Sequence, residues 1–370
     1  MRIAQPVPGA IAQPAQGREP RVRVLIVDDS AMVRKVLSLG LSADPRLEVV
    51  GTASHAAAAR DCMADLRPDV VTLDLEMPHM DGLTFLRSYM ATAPVPTVVI
   101  SSLTRESGAL VMRAMEAGAV DIVSKPSLGV GEGLPAIMSD VCARVWAAAQ
   151  ARPGLPGGAA PVLHSPVAPE GWVHALGAST GGVQALSRIL PLFPPQTPGI
   201  VIVQHMPMGF TAPFAQRLDA ICQMRVREAV DGDFVLPGLV LIAPGGTRHM
   251  ELQAAARGYR VRLVPGEPVC YSRPSVDVLF NSVARLAGPL CSAALLTGMG
   301  RDGAAGLLAI RRAGGRTFAQ DEASSVVYGM PLAARDLGAA EEILTLDDIP
   351  GRMAQAAAAA SPARRAAAHE

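Results

Sequence analysis

Ser179 has the surroundings that most suggest a chemical role in this 370-residue sequence. It lies in the stretch HALGASTGG, where a small hydroxyl side chain follows an apolar run and stands between glycines. A serine hydroxyl is a weak nucleophile until a base takes its proton, and the base needs an acid that orients it. The same glycine-rich stretch could instead bind phosphate at the start of a helix, as in nucleotide-binding folds. Taken alone, the motif leaves both interpretations open.

Two further residues could complete the set that a serine nucleophile needs. His205 follows the apolar run GIVIVQ, and Asp302 follows the apolar run CSAALL within the glycine-rich stretch TGMGRDG. His174 lies inside the apolar run that leads to Ser179, which favours a packed side chain, and His249 follows a loop and is the weaker alternative. The chain order Ser…His…Asp does not exclude a triad, because the order differs between unrelated folds.

A second group of polar residues lies in the N-terminal third of the chain. Asp28 and Asp29 follow one apolar run and Asp74 ends another, while Ser101 follows TVVI and Lys125 follows DIVS. If these runs are strands of one parallel sheet, the side chains converge outside the carboxyl ends of the strands. Carboxylates gathered in this way repel one another unless a cation lies among them, and Mg²⁺ prefers oxygen ligands. The set suits phosphoryl transfer, in which a carboxylate attacks phosphorus while a lysine and a hydroxyl hold the phosphoryl oxygens.

The alternative for each residue of this group is structural. The paired aspartates could cap a helix, and Lys125 could be a solvated surface residue. That interpretation is the better one for any single residue. It is the poorer one for the whole set, because all of these residue types follow predicted strands in this order.

Alternating apolar runs and helical periodicity predict an α/β fold with two sheets. In the N-terminal part the predicted strands are VRVLIVDD, PDVVTLDLEMP, PTVVISS and AVDIVSKP. In the C-terminal part they are WVHALGAS, GIVIVQHM, GLVLIAPG, RVRLVPG and CSAALLTGMG. Helical spacing predicts helices between them, for example at Val33, Val36, Leu37 and Leu41 and in VQALSRILPLF, GFTAPFAQRLDAIC and SVDVLFNSVARLA. Strands that alternate with helices imply βαβ crossovers and parallel sheets.

Changes in composition predict the domain boundaries. In residues 1–21 Pro and Gln interrupt every apolar run, which predicts a disordered tail rather than a signal peptide. Residues 151–171 are rich in Pro, Gly and Ala and predict a linker between domains at 22–150 and 172–350. Residues 351–370 form an alanine-rich tail, helical or frayed, to which we assign no function.

The overall composition excludes several classes of protein. Lys plus Arg and Asp plus Glu number 33 each, so the formal net charge is zero and the basic footprint of a nucleic-acid-binding protein is missing. The five cysteines are scattered without a CxxC pair, which predicts neither a disulfide framework nor a zinc site. No apolar run approaches the roughly 20 residues of a membrane helix. We therefore expect a cytoplasmic protein that is not inserted in a membrane.

The N-terminal motifs VLIVDDSAMVRKVL, LDLEMPHMDGL, VVISSLT and DIVSKP resemble those of response-regulator receiver domains. The resemblance implies a flavodoxin-like fold in which Asp74 accepts a phosphoryl group. It implies that four ligands hold Mg²⁺, namely Asp28, Asp29, Asp74 and the carbonyl of Glu76. Ser101 would move onto the phosphoryl group and Lys125 would pair with it. Receivers usually carry an aromatic residue three positions before this lysine, where the chain has Ile122, so the aromatic part of the usual switch is not assured.

Six C-terminal motifs resemble, in sequence order, those of the protein-glutamate methylesterases of bacterial chemotaxis: GASTGGVQAL, VQHMP, IAPGGTRHM, RPSVDVLF, LTGMGRDG and AQDEASSVVYGMP. The resemblance implies a doubly wound, Rossmann-like parallel sheet. It implies that Ser179 is the nucleophile, that His205 is the general base and acid, and that Asp302 orients His205. Backbone donors near Thr180 and Met299 would hold the oxyanion, and no metal is needed at this site.

The implied function is hydrolysis of glutamate γ-methyl esters on the cytoplasmic helices of chemoreceptors, together with deamidation of receptor glutamines. The expected cofactor is Mg²⁺ at the receiver, and the expected partners are the chemoreceptors and a histidine kinase that supplies the phosphoryl group. Nucleic acid is not an expected partner. Phosphorylation of Asp74, or deletion of residues 1–150, is expected to expose an esterase cleft that the receiver covers.

Three other functions are compatible with the sequence. The first is a non-enzymatic response regulator whose C-terminal half binds a partner, although the zero net charge argues against DNA. The second is a hydrolase of small esters, which a series of fluorogenic esters would distinguish from a receptor methylesterase. The third is the same chemistry on a receptor of a pathway other than motility.

Overall fold

The computed structural model describes residues 20–78, 80–102, 105–125, 134–151 and 169–360. Most of the predicted N-terminal tail and linker, and the second half of the predicted C-terminal tail, lie outside the described residues, at positions 1–19, 152–168 and 361–370. The described chain forms two parallel sheets flanked by helices and one small antiparallel sheet.

The N-terminal unit alternates strands with helices. Its strands are β1 (Val22–Val27), β2 (Leu47–Ala53), β3 (Val70–Asp74), β4 (Thr97–Ser101) and β5 (Asp121–Ser124). Its helices are α1 (Ala31–Ala43), α2 (Ala56–Leu66), α3 (Gly82–Met90), α4 (Arg105–Glu116) and α5 (Leu134–Ala149). The strands pair in parallel in the order β2-β1-β3-β4-β5, which confirms the predicted flavodoxin-like fold. The strand order reverses between β1 and β3, so the residues that follow these two strands lie side by side.

Local sequence signals position the residues at this edge. The Ser30 hydroxyl caps α1 by accepting a hydrogen bond from the Val33 N–H, and the Asp81 carboxylate caps α3 at Thr84. Every residue of β3 and β4 is buried, because helices cover this sheet. Burial on both faces explains why these strands are continuous apolar runs in the sequence.

The C-terminal unit is larger and contains ten strands among its described residues. They are β6 (Val173–Ala178), β7 (Ile200–Gln204), β8 (Arg225–Glu228), β9 (Phe234–Val235), β10 (Leu239–Ile242), β11 (Arg248–Ala254), β12 (Tyr259–Pro265), β13 (Cys291–Leu295), β14 (Arg316–Gln320) and β15 (Glu342–Leu344). The helices are α6 (Gly182–Ile189), α7 (Thr211–Ile221), α8 (Val276–Ala287), α9 (Ala304–Arg312), α10 (Met330–Asp336) and α11 (Asp348–Ala359), and a short 3₁₀ turn covers Leu190–Leu192.

Seven of these strands form a parallel sheet in the order β15-β14-β13-β6-β7-β10-β8, which confirms the predicted doubly wound sheet. The chain leaves β6 on the β7 side and later returns to the opposite side at β13. The loops that follow β6, β7 and β13 therefore meet at one edge, at the point where the strand order reverses. Ligands bind at such points in open α/β sheets.

A separate antiparallel sheet in the order β11-β12-β9 was not distinguished in the sequence. The predicted strand RVRLVPG lies in β12 and belongs to this sheet rather than to the parallel one. Buried and exposed residues mix along β11, which contacts α8 on one face, as is typical of a sheet with one solvated face. The Ser282 hydroxyl of α8 accepts a hydrogen bond from the Leu252 N–H of β11 and ties the two elements together.

The alanine-rich C-terminal stretch begins within α11. Ile349, Met353 and Ala357 are buried on one face of this helix and belong to the same apolar cluster as Phe318 of β14. Small alanine side chains let the helix lie close to the sheet. Among the described helices, none is both long enough and apolar enough to cross a membrane.

We predict that Gly303→Ala destabilises the C-terminal unit by about 2 kcal/mol or more. Gly303 has φ +89°, and an added Cβ would lie 2.6 Å from side-chain atoms of Val276 and Leu295. Gly232 has φ +88° with nothing within 4 Å of an added Cβ, so Gly232→Ala carries only the backbone strain of about 1 kcal/mol. Urea unfolding followed by tryptophan fluorescence compares the two variants. Equal losses would contradict the packing argument.

Candidate active site and acidic cluster

The turn between β6 and α6 holds Ser179. The Ser179 N–H donates to the Thr297 carbonyl (3.0 Å), and the Ser179 carbonyl accepts from the Gly182 N–H (2.7 Å). Gly181 adopts φ +78°, a conformation that favours glycine. A Cβ on Gly298 would lie 2.7 Å from the Ser179 Cβ, so the second glycine-rich loop leaves room for the serine. The glycines of both motifs are therefore explained by the close approach of two loops around Ser179.

His205 lies beside this turn because β6 and β7 are neighbours. Ala178 pairs with Gln204 in the parallel register, and the His205 N–H donates to the Ala178 carbonyl (3.0 Å). Gln204 Nε2 donates to the carbonyls of Ser179 (2.9 Å) and His205 (3.2 Å). Adjacent strands lie about 4.8 Å apart. The main chains of Ser179 and His205 are consequently held at that separation by the sheet and by one glutamine side chain.

Asp302 pairs with His205 through a 2.8 Å contact between Oδ2 and Nε2. The carboxylate also accepts hydrogen bonds at the start of α8, from the Ser275 hydroxyl (2.7 Å) and from the backbone N–H groups of Val276 (2.7 Å) and Asp277 (3.0 Å). Burial alone would raise the pKa of Asp302, but the hydrogen bond and charge of His205 and the donors of α8 outweigh it and lower the pKa. Asp302 is therefore an ionised partner that can hold an imidazolium.

The other ring nitrogen of His205 faces a hydroxyl. Nδ1 lies 3.4 Å from the Ser272 Oγ. With the Nε2 proton donated to Asp302, Nδ1 carries the lone pair that can accept a proton. No hydrogen bond joins the Ser179 Oγ to His205 within the described ranges, so that contact must form by a side-chain rotation. Ser179 and His205 are both nearly buried, at 7% and 6% exposure, which limits the water that competes with it.

Two backbone donors beside Ser179 are available for a ligand. The N–H groups of Thr180 and Met299 donate to no residue in the described part of the chain, whereas their neighbours Gly181 and Gly298 donate to the carbonyls of Val120 and Val327. Unpaired N–H groups that lie beside a nucleophile can stabilise a developing oxyanion.

The other two candidate histidines have structural partners. His174 lies within β6 with no exposed surface, its Nδ1 is 2.6 Å from the Ser292 Oγ, and burial lowers its pKa to about 3. His249 accepts a hydrogen bond from the Ser275 N–H at Nδ1 (3.1 Å), and its Nε2 lies 2.9 Å from the Glu267 carbonyl. His249 thus supports the serine that binds Asp302.

Sequence reasoning missed Gln204, Ser272 and Ser275. Ser275 had a signal, because a serine directly before the helical pattern VDVLF is a typical N-cap, and its hydroxyl also accepts from the Val278 N–H. No sequence signal marked Gln204 or Ser272. The contact of Gln204 with Ser179 and that of Ser272 with His205 depend on the packing of segments that are distant in the sequence.

The acidic residues of the N-terminal unit converge at the carboxyl edge of its sheet. Lys125 Nζ lies 2.6 Å from the Asp74 Oδ2 and 3.4 Å from the Asp28 Oδ2. One carboxylate oxygen from each of Asp28, Asp29 and Asp74 lies within 4.8 Å of the others. Ser101 is buried at the end of β4, the neighbour of β3 and β5. The structure thus brings together the predicted carboxylates and lysine, and it places Ser101 at the end of the strand between those of Asp74 and Lys125.

The chemistry of this cluster fits a divalent cation. The Asp28 Oδ2 is buried and accepts no hydrogen bond, and it has only the longer ion-pair contact with Lys125. Burial raises the pKa of Asp74 to about 6 despite its hydrogen bond from Lys125, and burial also raises the pKa of Asp28. One lysine does not balance the negative charge of three carboxylates, and a cluster of such oxygen ligands favours Mg²⁺. The Glu76 N–H donates to the Asp74 Oδ1 (3.0 Å), which places the Glu76 backbone beside the cluster.

The N-terminal unit directly contacts residues 179–181 between β6 and α6, a segment named the nucleophile turn after its candidate nucleophile, Ser179. The Thr180 hydroxyl donates to the Asp121 Oδ2 (2.6 Å), the Gly181 N–H donates to the Val120 carbonyl (3.3 Å), and Gln184 donates to the Ala119 carbonyl. Residues 119–121, at the start of β5, therefore lie against the residues that follow Ser179.

Charged and apolar contacts extend this interface. Within the N-terminal unit, Arg144 of α5 pairs with Asp140 (2.9 Å) and with Asp121 (3.1 Å), the carboxylate that accepts the Thr180 hydroxyl. Glu116 at the end of α4 pairs with Arg217 of α7. Val326 of the C-terminal unit packs against the core of the N-terminal unit. The end of α4 and the start of β5 thus lie against α7 and the residues that follow Ser179.

Comparison with known protein families gives two matches. Residues 174–353 match the CheB methylesterase family, and residues 24–130 match the response regulator receiver domain family. A protein-glutamate methylesterase/protein-glutamine glutaminase of group 2 operon from Cereibacter sphaeroides is 78% identical over 345 residues, which cover 93% of this chain and 94% of that protein.

A less similar relative carries the same description. A protein-glutamate methylesterase/protein-glutamine glutaminase from Bordetella parapertussis is 50% identical over 337 residues, covering 90% of this chain and 96% of that protein. Among solved structures, the Thermotoga maritima CheB methylesterase catalytic domain is 38% identical and covers 50% of this chain and 98% of its own, with a TM-score of 0.49.

We predict that Asp302→Asn lowers the free energy of unfolding near pH 7 by about 1.5–3 kcal/mol, the range for a hydrogen bond to a charged group. Because the pKa of Asp302 is lowered by folding, its stabilisation is present above the unfolded value of about 3.9 and is lost as the pH falls through the folded value. The difference between wild type and variant should therefore shrink below about pH 4.

Urea unfolding at several pH values measures this difference. Asp277→Asn is the matched control, because burial raises the pKa of the neighbouring Asp277. Ionisation of Asp277 therefore disfavours the folded state at neutral pH, which is the opposite of the effect of Asp302. A difference for Asp302→Asn that stays constant down to pH 3 would contradict the prediction.

Proposed function

The chain belongs to the CheB methylesterase family, and from this membership we propose that it is a phosphorylation-activated hydrolase of chemoreceptors. It removes methyl groups from receptor glutamate γ-methyl esters and deamidates specific receptor glutamines, which resets receptor sensitivity in chemotaxis. The observation that carries the proposal is the buried His205–Asp302 pair at the end of the strand adjacent to that of Ser179. This is the arrangement that a serine hydrolase needs.

In the esterase reaction Ser179 is the nucleophile. His205 Nδ1 accepts the proton of the Ser179 Oγ as the oxygen attacks the γ-carbonyl, and Asp302 stabilises the resulting imidazolium. His205 then returns the proton to the departing methoxide, so methanol leaves and an acyl-enzyme remains. A water molecule gives its proton to His205 and attacks the acyl group, which frees glutamate and restores Ser179.

The oxyanion of each tetrahedral intermediate is held by the main chain. The N–H groups of Thr180 and Met299 are the proposed donors, since both are unpaired beside Ser179 in the described chain. Deamidation follows the same steps, except that His205 protonates the amide nitrogen and ammonia leaves. No step at this site calls for a metal ion.

The N-terminal unit is the phosphorylated regulator. Asp74 accepts the phosphoryl group, and Asp28, Asp29, Asp74 and the Glu76 carbonyl hold Mg²⁺, which supplies positive charge for the phosphoryl oxygens. Lys125 pairs with the phosphoryl group, and Ser101 donates its hydroxyl to it. The contact between Lys125 and Asp74 supports these roles. The phosphodonor is a histidine kinase, and the enzyme acts in the cytoplasm, where both partners present their reacting groups.

Phosphorylation activates the esterase by releasing the contact at the nucleophile turn. The docked N-terminal unit covers Thr180, Gly181 and Gln184, which a receptor helix must approach to reach Ser179. A population shift from docked to undocked units then raises the fraction of accessible enzyme.

Methanol release from methylated receptor membranes tests the catalytic assignment. We predict no measurable release with Ser179→Ala and a decrease in kcat on the order of 10⁴-fold with Asp302→Asn, because the asparagine favours the wrong tautomer of His205. Asp277→Asn is the control, since Asp277 is buried beside Asp302 but accepts from the Gly306 N–H rather than from His205. Full activity in Ser179→Ala would refute the mechanism.

We further predict that Asp121→Ala raises the activity of the unphosphorylated enzyme by on the order of 10- to 100-fold, because it removes a charge-assisted hydrogen bond worth about 1.5–3 kcal/mol. Stimulation by phosphorylation should decrease correspondingly. Asp140→Ala is the control, since Asp140 pairs with Arg144 but not with Thr180. Initial rates of methanol release, measured with and without a small phosphodonor, test this prediction. An unchanged basal rate in Asp121→Ala would show that the hydrogen bond between Thr180 and Asp121 does not limit the activity of the unphosphorylated enzyme.

A further inference from the structure

We propose that Tyr271, at the tip of a strained turn beside His205, is a substrate-binding residue that packs against the receptor helix next to the reacting side chain. This inference rests on the proposed function, because it assigns part of the surface that binds the same substrate. It concerns the 269–272 turn, which no step of the hydrolysis uses.

The backbone of the 269–272 turn is unfavourable for the residues that occupy it. Cys270 and Tyr271 have φ +49° and +64°, and Val269 and Ser272 pair in antiparallel fashion around them. Two central residues with positive φ define a type I′ turn, which normally contains Gly, Asn or Asp. A tyrosine in this conformation is strained, and strained residues concentrate at functional sites.

The turn is held rigidly against the catalytic residues. Reciprocal hydrogen bonds join Val269 and Ser272 (3.1 and 2.9 Å). Ser272 lies 3.4 Å from His205 Nδ1, and the next residue, Arg273, donates to the carbonyls of Gly246 (3.0 Å) and Gly266 (2.8 Å). A turn fixed on both sides presents its tip at a constant distance from the general base.

The tip itself is in solvent. Tyr271 is 100% exposed even with the N-terminal unit docked, so the phenol ring packs against nothing in the described chain. Exposed aromatic rings at fixed positions supply contact area at low entropic cost and are enriched at binding sites. Tyr271 can therefore meet a receptor before the N-terminal unit moves away.

A second exposed apolar side chain lies on the same rim. Met208 follows His205 by three positions and is 56% exposed. It lies over Gly246, where an added Cβ would be 3.3 Å from its sulfur, and the Gly246 carbonyl is the group that binds Arg273. Arg301, also exposed, interacts with Cys270. Aromatic, apolar and cationic side chains thus extend from the segments on either side of His205 and Asp302, which suits a helix that carries both apolar residues and glutamates.

The test variants separate substrate binding from folding. Tyr271→Gly removes the ring and also relieves the strain of the left-handed backbone conformation. The midpoint of thermal unfolding of this variant should therefore be equal to that of the wild type or higher. Tyr271→Phe keeps the ring. Leu39→Ala removes an exposed apolar side chain (67% exposed) from the N-terminal unit and is the control.

Methanol release from methylated receptor membranes gives KM and kcat for each protein. The expected result is a KM about tenfold higher in Tyr271→Gly, with kcat within about twofold of wild type and no loss of thermal stability. Tyr271→Phe and Leu39→Ala should keep the wild-type KM. An unchanged KM in Tyr271→Gly, or an equal rise in Tyr271→Phe, would overturn the proposal.

Binding to the same membranes in a Ser179→Ala background makes the test independent of chemistry. In a cosedimentation assay, Tyr271→Gly should raise the Kd for methylated receptor membranes about tenfold, both with and without a phosphodonor. Equal sedimentation of Ser179→Ala with and without Tyr271→Gly would refute the role of Tyr271. If wild-type protein releases no methanol although it sediments, the proposed function fails instead, and the binding comparison still decides on Tyr271.

Discussion

The carboxylate of Asp302 is the group around which the esterase half is organised. At 2% exposure an ionised carboxylate is unfavourable unless donors satisfy its oxygens. Three of the donors come from the start of α8, where the helix dipole also favours negative charge, and the fourth is His205. One buried charge therefore fixes the loop after β13, the first turn of α8 and the end of β7 relative to one another.

This constraint also decides which nitrogen of His205 is left to act as the base in the proposed mechanism. Asp302 takes Nε2, which leaves Nδ1 for proton transfer, the reverse of the chymotrypsin arrangement. The Ser272 hydroxyl lies 3.4 Å from Nδ1, so Ser272 is the hydrogen-bond partner of this nitrogen in the described chain. A rotation of Ser179 towards Nδ1 must displace that contact. Exchange of one weak hydrogen bond for another costs little, which makes the resting arrangement compatible with rapid activation.

The sequence predicted the parallel sheets and their ligand-binding edges because buried parallel strands are continuous apolar runs. It did not predict β2, β8, β9, β11, β14 or β15. Strands such as RVRE and EIL are short, contain charges and lie at sheet edges, and β9 and β11 belong to the small antiparallel sheet. Ser179, His205 and Asp302 could be located because each follows a strong strand signal. The contact of Ser272 with His205 could not, because it depends on a turn whose residues Cys270 and Tyr271 contradict the usual turn preferences.

Strand β5 links the acidic cluster to the nucleophile turn. At its carboxyl end Lys125 binds Asp74, and at its amino end Asp121 accepts the Thr180 hydroxyl. Four residues of strand span about 13 Å, and the strand between them is buried, with Ile122 at 1% exposure. Close packing lets such a strand move only as a unit. In the proposed phosphorylation of Asp74, displacement of Lys125 by the new charge would therefore act on the docking contact through main chain already in place, without the aromatic side chain that receivers usually carry at position 122.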